Sequence, residues 1–186
     1  MAGNTNHRSE EEASTPVAKR LAAFRDATRM RSILPAAFAG TSIVVIALLT
    51  SLLMPVGGPA VIASMGAAAV IVFQFPDSPA ARPWSILGGH LLSATIGVVV
   101  SQLVDDRTVA AGLAVGLSLG AMQVCRCMHP PGGGTAMVAV LGGAAVQDAG
   151  FRFVILPTLV NAIILTGLSS GFRWMFTKTP QDKHTT

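Results

Sequence analysis

Charge is what this chain has least of. Only 12% of its 186 residues are Asp, Glu, Lys or Arg, where a soluble domain carries about 25%. Between Leu34 and Phe172 there are just eight: Asp77, Arg82, Asp105, Asp106, Arg107, Arg126, Asp148 and Arg152. Each falls in a gap between apolar runs. Buried helices of a large soluble protein would show charge along one face, and these runs show none. Cysteine is scarce as well. Cys125 and Cys127 are the only two, too few and too close for a disulfide scaffold. There is no Walker or Rossmann glycine pattern, no serine placed with a matched base, and every carboxylate lies in a loop or tail. That argues against an enzyme, and no cofactor is implied. The first 32 residues are largely polar, which predicts no cleavable signal peptide, and Glu10-Glu11-Glu12 disfavours an organelle transit peptide.

What the chain does have is apolar length: 51% hydrophobic residues and a mean hydropathy of +0.59. The expected fold class is all-α, a polytopic membrane helix bundle. The net charge of +4 gathers at the ends, with six Lys or Arg in residues 1–33 and three in 173–186. Flanking apolar spans make this a positive-inside signature rather than a nucleic-acid footprint. Both termini are therefore expected in the cytoplasm, with the chain multi-pass in the cell (inner) membrane and the lipid bilayer its first partner. Three regions follow: a polar N-terminal tail with a basic amphipathic helix (1–33), a membrane domain (34–172) and a C-terminal tail (173–186). Residues 1–15 read as disordered. From Pro16 to Ser32, Val17, Leu21, Phe24 and Ala27 keep helical spacing beside five basic residues, as in a helix on an anionic leaflet or a solvated helix that sets orientation.

Six apolar segments come in order: Leu34 to Met54, a shorter run after Pro55-Val56-Gly57-Gly58-Pro59 to Phe75, Trp84 to Val104, Thr108 to Val124, a short run from Thr135 to Val146, and Phe153 to Phe172. Residues 55–70 set against 131–146, an offset of 76, share nine identities in sixteen positions. Both copies begin at a Pro/Gly break and lead a short segment between two longer ones. The reading is an internal duplication, with repeats at about 34–104 and 108–172. Three crossings per half would make the halves inverted, and paired interrupted segments are the best sequence pointer to a transporter site. Six crossings place Arg82 and Arg126 on one side and Arg107 and Arg152 on the other. Four full spans with two dipping segments is the alternative.

The chain is organised around His129-Pro130-Pro131-Gly132-Gly133-Gly134. Two prolines break a helix, three glycines let backbone turn or approach closely, and irregular backbone at membrane depth survives only inside protein or along a cavity. Helix starts at the two breaks would present unpaired N–H groups and a positive dipole end, which bind anions. The candidate pathway comprises His129, Pro130, Pro131, Gly132, Gly133, Gly134 and Thr135 with Gly57 and Gly58 of the first break, His90 within the third segment, and Asn161 in the last. His129 would donate to an anion or carry a proton beside it, and intramembrane ionisable residues are functional by default. Asn161 and Thr166 line a pore or bond between helices. Arg126 reads as a topology determinant, with anion attraction at a mouth as the second reading. Met122, Cys125, Cys127, Met128 and His129 also form a soft-ligand set suited to copper(I), although no metal is assigned. Gly112, Gly116 and Gly120 form a small-residue stripe for close packing, within the protomer or across a homo-oligomer.

Ser64-Met65-Gly66-Ala67, Gly88-Gly89-His90-Leu91 and Met128-His129-Pro130-Pro131-Gly132-Gly133 together resemble the HPP family of integral membrane proteins, over about residues 30–172. The family is usually described with four spans, and members in plastids and cyanobacteria are implicated in nitrite transport. The resemblance thus implies a nitrite transporter; the residues themselves imply a small, anionic substrate. A soft-metal (copper) transporter and a non-transporting scaffold or sensor are the alternatives.

Overall fold

The computed structural model describes the backbone of residues 16–53 and 58–176, and side chains over 33–52 and 63–176. The chain divides into Met1–Ala37 and a compact unit, Phe38–Thr186. Every described element is helical. In chain order they are α1 (Pro16–Leu53), α2 (Gly58–Gln74), a 3₁₀ turn (Pro79–Ala81), α3 (Pro83–Leu103), α4 (Arg107–Val124), α5 (Pro131–Leu141), the short α6 (Ala144–Ala149), a π-helical stretch (Val154–Leu159) and α7 (Val160–Phe176). Four helical stretches are long and apolar enough to cross a membrane: Ile33–Leu52, Pro83–Leu103, Arg107–Val124 and Val154–Phe176. Ala63–Gln74 and Pro131–Leu141 are shorter apolar helices. The six segments read from sequence correspond one to one with these. This is a polytopic helix bundle.

The ends of the elements follow from local chemistry. Asp106 caps α4, its carboxylate accepting from the N–H groups of Thr108 (2.9 Å) and Val109 (3.0 Å). Pro83 and Pro131 open α3 and α5 at the first turn, where a missing N–H costs nothing. Two boundaries correct the sequence reading. The fifth segment does not run to Val146: α5 stops at Leu141, because Gly143 takes φ +80 and turns the chain before α6. The sixth is not one regular span either. Leu156, at φ −124 and ψ 109, interrupts the helix in front of Pro157, whose ring cannot follow a regular turn.

The bundle is organised by α3, α4 and α5. Gly97 of α3 sits so close to α5 that a methyl there would lie 2.6 Å from the Ala139 Cβ and 2.8 Å from the Ala136 carbonyl. Nearer the start of both helices, a methyl on Gly132 would meet Ser93 Oγ at 2.7 Å and the Gly89 carbonyl at 2.9 Å. Small residues thus let two helices approach almost backbone to backbone. A second apolar cluster, Ala110, Ala111, Ala114, Ala136 and Val140, seals α5 against α4. Beneath α2 and α7 the larger core holds Met65, Phe73, Ile86, Phe153 and Leu165. Phe172 stacks within 4.8–5.4 Å of Phe38, Phe73 and Phe176.

The packing also fixes where α5 begins. Gly133 faces Val115, the midpoint of α4, while Val140 packs with Ala110 at the start of α4. So α5, about 16 Å long at about 1.5 Å per residue, starts at mid-depth and runs to one end of the bundle. There Arg107 donates to Gln147 (3.1 Å), and Gln147 in turn donates to the carbonyls of Ala139 (3.0 Å) and Val140 (2.8 Å). Residues 125–130 descend from the opposite end to meet the buried start of α5. Arg82 and Arg126 therefore share one end and Arg107 lies with residues 142–150 at the other, a grouping that the six-crossing and the four-crossing readings have in common.

Candidate functional site

Backbone that leaves a helix inside a membrane must find its own hydrogen bonds, and residues 125–130 do so. The N–H of Cys127 reaches back to the Met122 carbonyl (2.9 Å) and that of Arg126 to Gln123 (3.2 Å). This is the helix-ending motif in which the linking residue turns left-handed and is usually glycine. Here it is Arg126, at φ +52. Trp84 Nε1 donates to the Cys125 carbonyl (3.2 Å) and pins the turn to α3. The chain then dives, and Cys127 and His129 are fully buried against Gly88 and Gly89.

At the start of α5 one expectation fails. The N–H groups of Gly132 and Gly133 are not free: they donate to the carbonyls of His129 (2.9 Å) and Pro130 (3.0 Å). A 3₁₀-type first turn has satisfied them, so these donors do not form an anion cradle. Gly57, of the other break, lies outside the described residues, and Gly58 is the first residue of α2.

What the fold does bring together is a pair of histidines. The rings of His90 on α3 and His129 lie 5.0 Å apart, edge to face at 62°, and both are 0% exposed. His129 Nδ1 is 2.7 Å from the Ala80 carbonyl. A carbonyl only accepts, so Nδ1 carries the hydrogen. His90 Nδ1 is 2.8 Å from Thr135 Oγ1, whose own hydrogen goes to Ser64 Oγ (3.1 Å); Thr135 therefore accepts from His90. His129 is thus the Nδ1–H tautomer, with a lone pair on Nε2, and, with the Thr135 hydroxyl turned to Ser64, His90 is the same. Among the described residues, both Nε2 atoms are buried without a partner. Ser93 Oγ, one turn along α3, is a third buried polar atom without one.

His90, His129 and Thr135 thus converge, with Pro130, Pro131 and Gly134 along one edge and Gly132 and Gly133 as the spacers that admit α3 and α4. Pro130, Pro131 and Gly134 also line a cavity of about 550 Å³ with Ser64 and Ala67 of α2. Asn161, buried on α7, accepts at Oδ1 from Thr50 (2.7 Å), a bond between helices, and its Nδ2 is buried without a partner among the described residues. Thr166 bonds its own helix at Ala162. Of the soft-ligand set, Met122, Cys127 and His129 pack around Gly89, while Cys125 is exposed. Among the described residues no three His, Cys, Asp or Glu side chains group as metal ligands. Gly112, Gly116 and Gly120 face outward with no atom within 4 Å of an added methyl, so the stripe packs nothing within the protomer.

Sequence reasoning missed Ser64 and Ser93, although Ser93 stands at i+3 from His90 and so shares its helical face. A second cavity, of about 350 Å³, is lined by Arg82, Trp84, Ser85, Met122, Gln123, Arg126 and Met128. It is a cationic vestibule, and Met122 belongs both to its wall and to the packing round Gly89 and His129.

The comparisons with known proteins agree on the class of molecule. The family model for the HPP transmembrane region matches residues 25–180. A transmembrane protein of Dictyostelium discoideum is 41% identical over 108 residues, covering 56% of this chain and 38% of that protein. A second Dictyostelium discoideum transmembrane protein is 34% identical over 111 residues, covering 56% of this chain and 35% of its own length. The chain thus aligns with little more than a third of either relative. No solved structure matches it.

Proposed function

Because the chain belongs to the HPP transmembrane family, we propose that it carries a small monovalent anion across the membrane, nitrite first among the substrates to test. The observation that carries this reading is the buried His90–His129 pair with its two unpartnered Nε2 atoms. A polar group left unsatisfied in a low-dielectric interior costs about 1–3 kcal/mol, and the sequence could have placed Leu or Val there. Polar atoms kept at that cost inside a membrane bundle belong to a substrate path. The Arg82–Arg126 vestibule favours an anion at the mouth, and the break ahead of α5 brings the path to mid-depth, as in transporters built from interrupted helices. The repeat between residues 55–70 and 131–146 is consistent with two inverted halves. Transport, not catalysis, is the activity, and the cell membrane with both termini inside is the location that the basic tails favour.

The test is nitrite uptake into proteoliposomes holding the purified chain. Uptake above protein-free vesicles is expected, with His129→Ala lowering it by about tenfold or more while the variant still elutes as folded protein. Unchanged uptake in His129→Ala would remove the pair from the pathway.

A further inference from the structure

The hydrogen-bond roles at the histidine pair say more about the cargo than its size. Both Nδ1 positions are spent as donors, on Ala80 and on Thr135. What each ring leaves unpartnered, its Nε2, is therefore an acceptor. Two lone pairs repel a bare anion. They bind a species that brings a hydrogen of its own.

The surroundings reinforce this. His90 is the only ionisable residue in α3, α4 adds only Arg107 at its far end, and α2 and α5 have none. Around the pair, α2 presents Ser64, α4 Met122, and α5 Thr135. The loop adds Cys127, and the 3₁₀ turn only its Ala80 carbonyl. Asp77, Arg82 and Arg126 stay at the bundle end. No fixed charge compensates an ion at mid-depth. A lone anion there would bear a desolvation cost of several kcal/mol, whereas an acid molecule, or an anion beside one imidazolium, brings no net charge.

Resting on the anion reading above, we infer that the His90–His129 pair passes its cargo together with one proton, and that the cargo class is the conjugate bases of weak acids rather than small anions in general. The acid O–H donates to an Nε2 lone pair. If its proton crosses to nitrogen, the products are imidazolium and anion; its return restores the neutral acid and the neutral ring. The second ring, 5.0 Å away, stays neutral because two adjacent imidazolium charges in a dry site repel each other. Nitrite and formate qualify as cargo. Nitrate, the anion of a strong acid, does not.

The test uses the full chain in phosphatidylcholine vesicles near neutral pH, with an internal pH dye, a potassium–valinomycin potential, and nitrite, formate and nitrate as probes. Nitrite and formate should enter above the protein-free rate, each with one proton and without response to the potential, while nitrate stays at the protein-free rate. His90→Asn and His129→Asn keep a donor near the Nδ1 position and remove the basic nitrogen. Each should cut proton-linked uptake by about tenfold or more. Nitrate crossing as fast as nitrite, with a potential-driven current, would overturn this inference and leave the anion reading standing. No flux for any of the three would overturn the anion reading itself. Nitrogen-15 spectra of histidine-labelled protein give a readout independent of transport. Pyridine-type Nε2 signals from both rings are expected, and a protonated Nε2 in the resting protein would overturn the proposal.

Discussion

A single residue in the wrong backbone conformation shows how this molecule balances stability against its site. Arg126 occupies the left-handed position that ends α4, where a residue with a Cβ loses about 1–2 kcal/mol relative to the right-handed region. Glycine would remove that strain. The arginine gives in return a guanidinium at the wall of the vestibule. Arg126→Gly is therefore expected to raise thermal stability, by about 1 kcal/mol, while lowering anion uptake at low substrate concentration. Melting curves in detergent and vesicle uptake on the same preparations would separate the two effects. His129 shows the reverse arrangement: its Nδ1–H is fully used by Ala80, and its Nε2 is buried without a partner among the described residues.

At the level of elements, α5 carries Thr135 and packs against the histidine pair, and with only 11 residues it depends on its neighbours. A helix that short is marginal by itself. Its start is tightened by the 3₁₀ turn at Gly132 and Gly133, and its end is held by Gln147, which donates to two of the last carbonyls. Gln147→Ala should lower unfolding free energy by about 1–2 kcal/mol and speed hydrogen exchange in residues 136–141 before the rest of the bundle. Equal exchange throughout would show that α5 does not depend on this cap. The six apolar segments were legible in the sequence, because continuous apolar length is a signal that tertiary packing does not alter. Their irregularities were not. Gly142-Gly143 and Leu156-Pro157 are ordinary dipeptides in a membrane sequence, and only the packing around them decides whether the helix stops or bends. The candidate site was half legible. His129 and His90 each stood out as ionisable residues in apolar surroundings, but a separation of 39 residues gives no hint that their rings meet. Nor could spacing reveal that the glycine N–H groups would be consumed by the carbonyls just before them, or that Thr135 would link His90 to Ser64 on another helix.

At the scale of the whole bundle, the charges of the described residues 38–176 are sorted by end rather than by face. Arg82 and Arg126 gather round one cavity at one end of the bundle, and Arg107 and Asp148 round another at the opposite end. The interior between them is uncharged. Arginines at a mouth raise the local concentration of anions, and at physiological salt this reach is about 8 Å. Replacing Arg82 and Arg126 together by Gln should raise the substrate concentration for half-maximal uptake several-fold in low salt. Most of that difference should vanish in about 1 M of an inert salt, where the screening length falls to about 3 Å. A deficit that persists unchanged in high salt would assign the arginines a direct binding role instead of an attractive one.

The indole that pins Cys125 to α3 also makes the vestibule observable. The chain contains no tyrosine and only two tryptophans, and Trp84 stands in the same cavity wall as both arginines. With Trp174 replaced by Phe, ultraviolet emission would come from that wall alone. Its hydrogen bond to the Cys125 carbonyl ties the emission wavelength to the conformation of the loop that carries His129. The molecule thus has its own optical probe beside Arg82 and Arg126, one that reads the setting of the loop and any quenching anion in one cuvette, with no label attached.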